Sequence, residues 1–319
     1  MCEYRGFTLK RWIVLPWLSI GSLAILSVIY SLATFVAEDY PITTAIAYAP
    51  PIVWMPLPIL VLLCSLAKRN RNWLKLNAAV LAIFGWLLLG IQLPLRADRS
   101  GSDGTFTLMT FNVMGGRGGM NEVIRLIREA NPDYVCLQEA EDVARQMSEQ
   151  LGYHMVSEKS LAVLSKEPPL RFERHSRFPR YPGALEAEFP NGLTIVSAHL
   201  AYHTFETFTT KQIPVHMQTI AKIHQIEVDM LVSRYAARPK VVIAGDFNSP
   251  PRGNVYRSMK RHFTDAFSSA GWLTGYTWPS QFPVLRIDYA FTTNVKAQSA
   301  RTLPSTVSNH RPVLFQFKL

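Results

Sequence analysis

Hydrophobic and polar positions follow two regimes along the 319 residues of the chain. Up to about Leu95 there are three long apolar runs, Trp12 to Val36, Ala45 to Ala67 and Leu76 to Leu95, and none contains Lys, Arg, Asp or Glu. A helix needs about 20 residues, at about 1.5 Å rise, to cross about 30 Å of hydrocarbon, so each run is expected to be a transmembrane helix. The first is longer than the roughly 7–15 apolar residues of a cleaved signal peptide and two more follow it, so it reads as a retained span. The second carries Pro50, Pro51, Pro56 and Pro58, which membrane helices tolerate as kinks where neighbours satisfy the backbone.

Beyond about residue 100 the pattern changes. Short runs rich in Val, Ile, Phe and Thr alternate with stretches of helical period, which predicts an α/β fold. Strands are expected at Phe106 to Val113, Tyr134 to Gln138, Leu193 to His199, Val241 to Gly245, Ile287 to Thr292 and Pro312 to Phe317. Helices are expected at Asn121 to Ala130, Glu141 to Leu151 and Lys211 to Arg234, the first ended by Asn131-Pro132. The chain thus divides into a membrane region (1–95), a linker (96–104) and a soluble domain (105–319). The linker RADRSGSDG has nine residues and reaches at most about 30 Å, which keeps the domain near the headgroups.

Flanking charge predicts orientation, because Lys and Arg beside spans stay cytoplasmic. Arg5, Lys10 and Arg11 precede the first run, and Lys68, Arg69, Arg71 and Lys75 follow the second. Between the first two lie Glu38 and Asp39 and no basic residue. Three spans then put the N-terminus in the cytoplasm and the soluble domain outside, although Arg96 and Arg99 run against this order. The net charge of +10 does not demand nucleic acid: from Gly101 onward there are 24 Lys and Arg against 19 Asp and Glu. Cys136 is the only cysteine of the soluble domain, so no disulfide forms within it and a packed core must hold it.

The chemistry sits where the strands stop. Asn112 follows TLMTF, Glu139 follows YVCLQ, His199 follows TIVSA, and Asp246 and Asn248 lie in VVIAGDFN; Asp288 is in RIDYAF and His310 in SNHRPV. Strand ends in layered α/β folds converge on one crevice. The set offers hard oxygen ligands suited to Mg²⁺ or Mn²⁺ and two imidazoles for phosphate charge or proton transfer. There is no Cys/His zinc cluster, no serine elbow and no glycine-lysine phosphate loop. Plainer structural roles compete at single positions: an Asx-turn for Asp246 and Asn248, a helix cap for Glu139, a core position for His199, a buried partner for Asp288.

The ordered motifs FNV, LQE, AHL, GDFN, RIDY and SNHRP resemble those of the DNase I-like endonuclease/exonuclease/phosphatase superfamily, over roughly residues 105 to 319. The resemblance implies a four-layer sandwich of two packed β-sheets flanked by helices. It also implies roles. Glu139 would be the principal metal ligand with Asn112 beside it, Asp246 would activate the attacking water, and Asn248 would position the phosphate. His310 would stabilise charge on phosphorus or assist the leaving group, oriented by Asp288, and His199 would bind a phosphoryl oxygen. The family usually has Ser-Asp-His at its last motif, where this chain has Ser308-Asn309-His310; Asn309 offers a metal an oxygen but no charge. Arg117, in GGRGG after Asn112, is a candidate for substrate contact, with a flexible turn as the alternative.

Three spans ahead of this domain, with GWLTGYTWPSQFPVLRIDY, look similar to a membrane branch of the superfamily associated with glycopeptide-antibiotic resistance and dephosphorylation of lipid pyrophosphates. The expected function is therefore a membrane-bound phosphatase of lipid-linked pyrophosphates. The alternatives are an extracytoplasmic nuclease or phospholipid phosphodiesterase, and a noncatalytic binding module. Membrane lipids are the expected partners, and the modest charge does not favour nucleic acid. The aromatic-rich segment with Trp272, Leu273, Tyr276, Trp278 and Phe282 is either a membrane contact or core. The Arg171, Arg174, Arg177, Arg180 series is either a phosphate grip or a solvated basic loop.

Overall fold

A computed structural model describes residues 6–93, 104–202 and 212–319, with side chains from Val14 onward. All of the expected linker but Gly104, as well as His203 and Lys211, lies outside the described residues.

The N-terminal region is a small helical bundle. Helix α1 (Gly6–Ser31) runs on through a π-helical segment, Leu32–Val36, and a 3₁₀ turn, Ala37–Asp39. Then come α2 (Pro41–Tyr48), a 3₁₀ turn at Pro51–Trp54, α3 (Pro56–Ala67) and α4 (Arg71–Leu89). Two segments are long and apolar enough to cross a membrane by themselves, Val14–Asp39 and Arg71–Leu89. The expected second span is not one helix: Pro41–Tyr48 and Pro51–Ala67 meet at 98° and make a third crossing only if taken together. The prolines explain the break. Ala49, before Pro50, is forced out of the helical region to ψ 135°, and Pro50 and Pro51 have no N–H to continue the ladder. Pro56 and Pro58 sit in the first turn of α3, where no donor is needed, so they start a helix instead of kinking one.

The three long elements are joined by one buried amide. Asn77 of α4 donates to Ser19 Oγ of α1 (2.9 Å) and Ser65 Oγ of α3 (2.7 Å), and each hydroxyl bonds back to its own helix. Elsewhere the bundle turns apolar side chains outward. Trp17, Val28, Leu60 and Ile83 are all more than half exposed, a surface that is unfavourable in water and suited to lipid.

The rest of the chain is a sandwich. One sheet has the order β11-β12-β1-β2-β4-β3, from β1 (Thr105–Asn112), β2 (Tyr134–Gln138), β3 (His154–Glu158), β4 (Leu161–Ser165), β11 (Lys296–Thr302) and β12 (Val313–Lys318). The other has β5-β6-β7-β8-β10-β9, from β5 (Arg171–His175), β6 (Gly183–Glu188), β7 (Thr194–His199), β8 (Val241–Asp246), β9 (Thr264–Asp265) and β10 (Asp288–Thr293). Leu108, Cys136, Val163, Leu185, Ile195, Val242 and Phe315 fill the space between the sheets. Helices α5 (Met120–Ala130) and α6 (Ala144–Leu151) cover the first sheet through Val123, Ile127 and Met147. Helices α7 (Ile213–Tyr235) and α8 (Asn254–His262) cover the second through Val228, Leu231 and Met259, and short α9 (Ala266–Ala270) closes one end. The four layers are those the motif resemblance implies.

Bundle and sandwich cap each other's helices. The last carbonyls of a helix have no partner of their own. Here Leu88 O accepts from Arg252 Nη1 (2.7 Å) and Leu89 O from Tyr276 Oη (2.8 Å), while Arg252 Nη2 reaches Ala47 O (3.1 Å) and Ala49 O (3.3 Å) beyond α2. In return, Glu38 Oε2 accepts from Asn254 N (2.6 Å) at the start of α8, where a helix favours negative charge. Gly253 permits this, because a Cβ there would lie 2.0 Å from Glu38 Oε1. Gln92 and Leu273 exchange two backbone bonds beside the same junction (2.8 and 3.0 Å). Trp272, Leu273 and Phe282 of the aromatic segment are exposed there, while Tyr276 faces the bundle.

Replacing Asn77 with Ala removes both interhelical bonds at once. The expected loss is about 1–2 kcal/mol, read as a lower unfolding midpoint of the detergent-solubilised protein by circular dichroism; an unchanged midpoint would deny the amide its role.

Candidate active site

Strand register gathers the polar ends. In the second sheet Asp246 pairs directly with His199 on β7 and with Asp288 on β10. Gly245 makes this approach possible, since a Cβ there would sit 1.8 Å from Ala198 O. In the first sheet Asn112 pairs with Gln138, which places Glu139 beside it. The two sheets meet at Asn112, whose Nδ2 donates to Glu139 Oε1 (3.0 Å) and Asp246 Oδ2 (3.1 Å) and whose Oδ1 accepts from Met114 N. Ser308 Oγ donates to Asn112 O (2.6 Å), which ties the final motif to the first.

Asp246 is the hub. Its Oδ2 lies 3.5 Å from His310 Nε2 and 3.7 Å from His199 Nε2, and its Oδ1 accepts from Asn248 N (2.9 Å). The last contact is the Asx-turn expected on plain structural grounds; it coexists with the convergence. Burial pushes the Asp246 carboxyl above its ordinary range, opposed by the two imidazoles and reinforced by Asp288. His310 Nδ1 lies 2.9 Å from Asp288 Oδ2. Burial acts to lower the pKa of this imidazole, but the carboxylates of Asp288 and Asp246 outweigh it and hold the value up at about 9.

Asp246, Asp288 and His310 offer ligand atoms that all lie within 4.8 Å of one another. As an imidazolium, however, His310 has both nitrogens turned on carboxylates and no lone pair to give. The donors left for a hard cation are the carboxylates: Glu139 and Asp246 converge on one amide, and Asp288 Oδ1 is buried without a partner. This oxygen set fits a divalent cation of the Mg²⁺ or Mn²⁺ kind.

The other expected residues divide. Asn248 sits at φ 48° with its Nδ2 on Leu200 O (3.1 Å), so it belongs to the cluster. His199 is buried with Nδ1 unpartnered and its ring stacked on Tyr202. Glu139 caps no helix: α6 begins at Ala144 behind Val143, which offers no side-chain cap. Asn309 is exposed, its Oδ1 3.3 Å from Ser308 Oγ. Arg117 is exposed in the turn after β1, and its guanidinium has no hydrogen bond or ion pair among the described residues. Of the arginine series, Arg171 and Arg174 are taken up by Glu188 and Glu158, away from the crevice.

Ser308, part of the last motif, ties Asn112 in place, whereas two supporting residues gave no sequence signal. Tyr202 stacks on His199, and Glu227 of α7 stands behind the crevice with Oε2 accepting from Ala201 N (2.9 Å). Helical spacing alone makes Glu227 look like a solvated acid, yet it is buried, and burial raises its carboxyl to about 8.

Two packed sheets with carboxylates and imidazoles at their joined strand ends define the architecture of a DNase I-like hydrolase. Residues 109–310 match the Endonuclease/Exonuclease/phosphatase family, and the chain belongs to it; its members hydrolyse phosphate esters. No curated protein matches significantly in sequence. Among solved structures, a 3′ phosphatase from Neisseria bound to product DNA hairpin is 16% identical (TM-score 0.54, 67% of this chain and 100% of that one). An AP endonuclease from Archaeoglobus fulgidus is 17% identical (TM-score 0.54, 66% and 98%). A mannosyl-6-phosphatase from Bacteroides thetaiotaomicron is 16% identical (TM-score 0.51, 67% and 100%). At these identities the likeness is one of fold.

Glu227 makes stability depend on pH. Its folded pKa of about 8 lies above the ordinary carboxyl value of 4.5, so between the two the unfolded chain has lost a proton that the folded chain keeps. Stability should be full below the lower value and fall, by up to about 1.4 kcal/mol per pH unit, until the upper is passed. Denaturant unfolding of wild type and Glu227→Gln across this window checks it: the variant should show a flatter profile, and parallel profiles would refute the assignment.

Proposed function

We propose that the chain is a divalent-cation-dependent phosphoesterase that removes phosphate from lipid-linked pyrophosphates at the outer membrane-water interface. The observation that carries this reading is the short path from Asp246 to Arg252. One end lies in the catalytic cluster, the other in the carbonyls at the ends of the bundle helices. Six residues reach at most about 20 Å, so the crevice opens close to the bundle ends. A substrate held in the same surface is met at high effective concentration, an arrangement a soluble nucleotide does not need.

Orientation rests on charge and on the bundle's path. Glu38 at the end of the first long segment and Leu89 at the end of α4 both contact the sandwich, while the Lys68–Arg71 turn lies at the other end of α4. The broken pair then returns the chain across the bilayer, giving a multi-pass protein. Its basic flanks remain cytoplasmic and its catalytic domain is extracytoplasmic.

Glu139 and Asp246, with Asn112, would hold the cation; bound there, it supplies positive charge to a phosphoryl oxygen. Asp246, raised by burial, orients the attacking water and accepts its proton. Water oxygen bonds to the terminal phosphorus, the bridging P–O bond breaks, and the lipid monophosphate departs. The His310 imidazolium, held by Asp288, offsets charge as it builds on phosphorus, and Asn248 and His199 pin phosphoryl oxygens. Asn309 would add at most a neutral oxygen to the cation.

The test gives purified protein, with Mg²⁺ or Mn²⁺, a polyprenyl pyrophosphate, single- and double-stranded DNA, and a phosphodiester lipid. Phosphate release from the polyprenyl pyrophosphate alone is expected, with a loss of about 10²–10⁴-fold in Asp246→Ala. Cleavage of DNA or of the phosphodiester would overturn the substrate assignment.

A further inference from the structure

An open-sided cleft of about 430 Å³ lies outside the catalytic cluster, between the bundle and α8. Its bundle wall is Tyr30, Thr34 and Leu87; its sandwich wall is Arg252 with Arg257, Lys260 and Arg261. The last three have the 3, 4 spacing of one helical face, so α8 turns a single basic stripe towards the bundle. Lys260 and Arg261 are exposed.

Two further facts point to an anion. Arg252 is buried, and its hydrogen bonds all go to carbonyls, with no carboxylate paired to it among the described residues. Its Nε–H, moreover, is buried without a partner, as is Thr34 Oγ1 on the facing wall. Carbonyl dipoles share such a charge but do not neutralise it, and a buried cation without a counter-charge is costly. Glu38, the nearby acid, gives Oε2 to the start of α8 and is attracted to Arg257; its Oε1 is buried without a partner and is not paired with Arg252. The remaining cations face an opening.

We propose that this cleft binds the phosphate-bearing headgroup of an anionic phospholipid, as a site separate from the catalytic centre. Depth selects a lipid over a free ion. Tyr30, Thr34 and Leu87 belong to the ends of the two spanning segments, so the cleft stands at headgroup level with apolar bundle surface running away from it along the acyl direction. This step rests on the proposed membrane insertion and needs no turnover. The bound headgroup would neutralise Arg252, the same residue that caps α2 and α4, and so strengthen the seating of the sandwich on the bundle.

The experiment places the full chain in nanodiscs of equal phosphatidylglycerol and phosphatidylcholine, releases it, and counts retained lipids by native mass spectrometry. One phosphatidylglycerol should be retained in preference to phosphatidylcholine, and inorganic phosphate at millimolar concentration should not displace it. In Lys260→Gln/Arg261→Gln, where both positions are exposed and outside the core, the preference should fall at least about tenfold. Equal retention of both lipids, an unaltered preference in the variant, or displacement by phosphate would overturn the inference. Failure to enter nanodiscs would overturn it together with the membrane reading. Loss of phosphoesterase activity with lipid retention intact would count against the proposed function alone.

Discussion

The structure turns on an exchange of helix caps. A helix leaves its last carbonyls and first amides unsatisfied, and burying them unpaired is costly. The sandwich meets this need for the bundle with Arg252 and Tyr276, and the bundle meets it for α8 with Glu38. Neither side has these partners alone. The exchange fixes how the two parts face each other, and through the Asp246–Arg252 loop it fixes where the crevice lies.

Within the crevice the same principle operates with full charges. Asp246 and Asp288 are two buried carboxylates on paired strands, and burial and Asp288 push the Asp246 carboxyl up while His310 beside both opposes the rise. Asn112 then joins the sheets by donating one amide to carboxylates from both. An arrangement with this much buried negative charge is stable because imidazolium and amide donors surround it, and it holds carboxylate oxygens in reserve for a cation.

Much of this was legible in the chain. Polar residues after apolar strands marked Asn112, Glu139, His199, Asp246, Asp288 and His310, and strand register is what unites them. Three strands were not legible, for definite reasons. RFERH and KAQSART are edge strands with largely exposed side chains, so their composition is that of a loop, and GALEAE is built from helix formers that pairing with β7 overrides. Arg252 and Glu38 were silent because nothing local distinguishes a capping residue from a charge on a turn; their partners lie 164 and 216 residues away. The second apolar run had the length of a span, but its prolines divide it where the chain must turn along the sandwich.

The proposed function confines catalysis to the plane of the membrane, and surface dilution of the substrate tests this. In proteoliposomes carrying a lipid-linked pyrophosphate, the rate should follow the mole fraction of substrate in the bilayer and stay unmoved when the vesicle suspension is diluted. A rate that followed bulk substrate concentration, with a water-soluble phosphoester cleaved equally well, would contradict it.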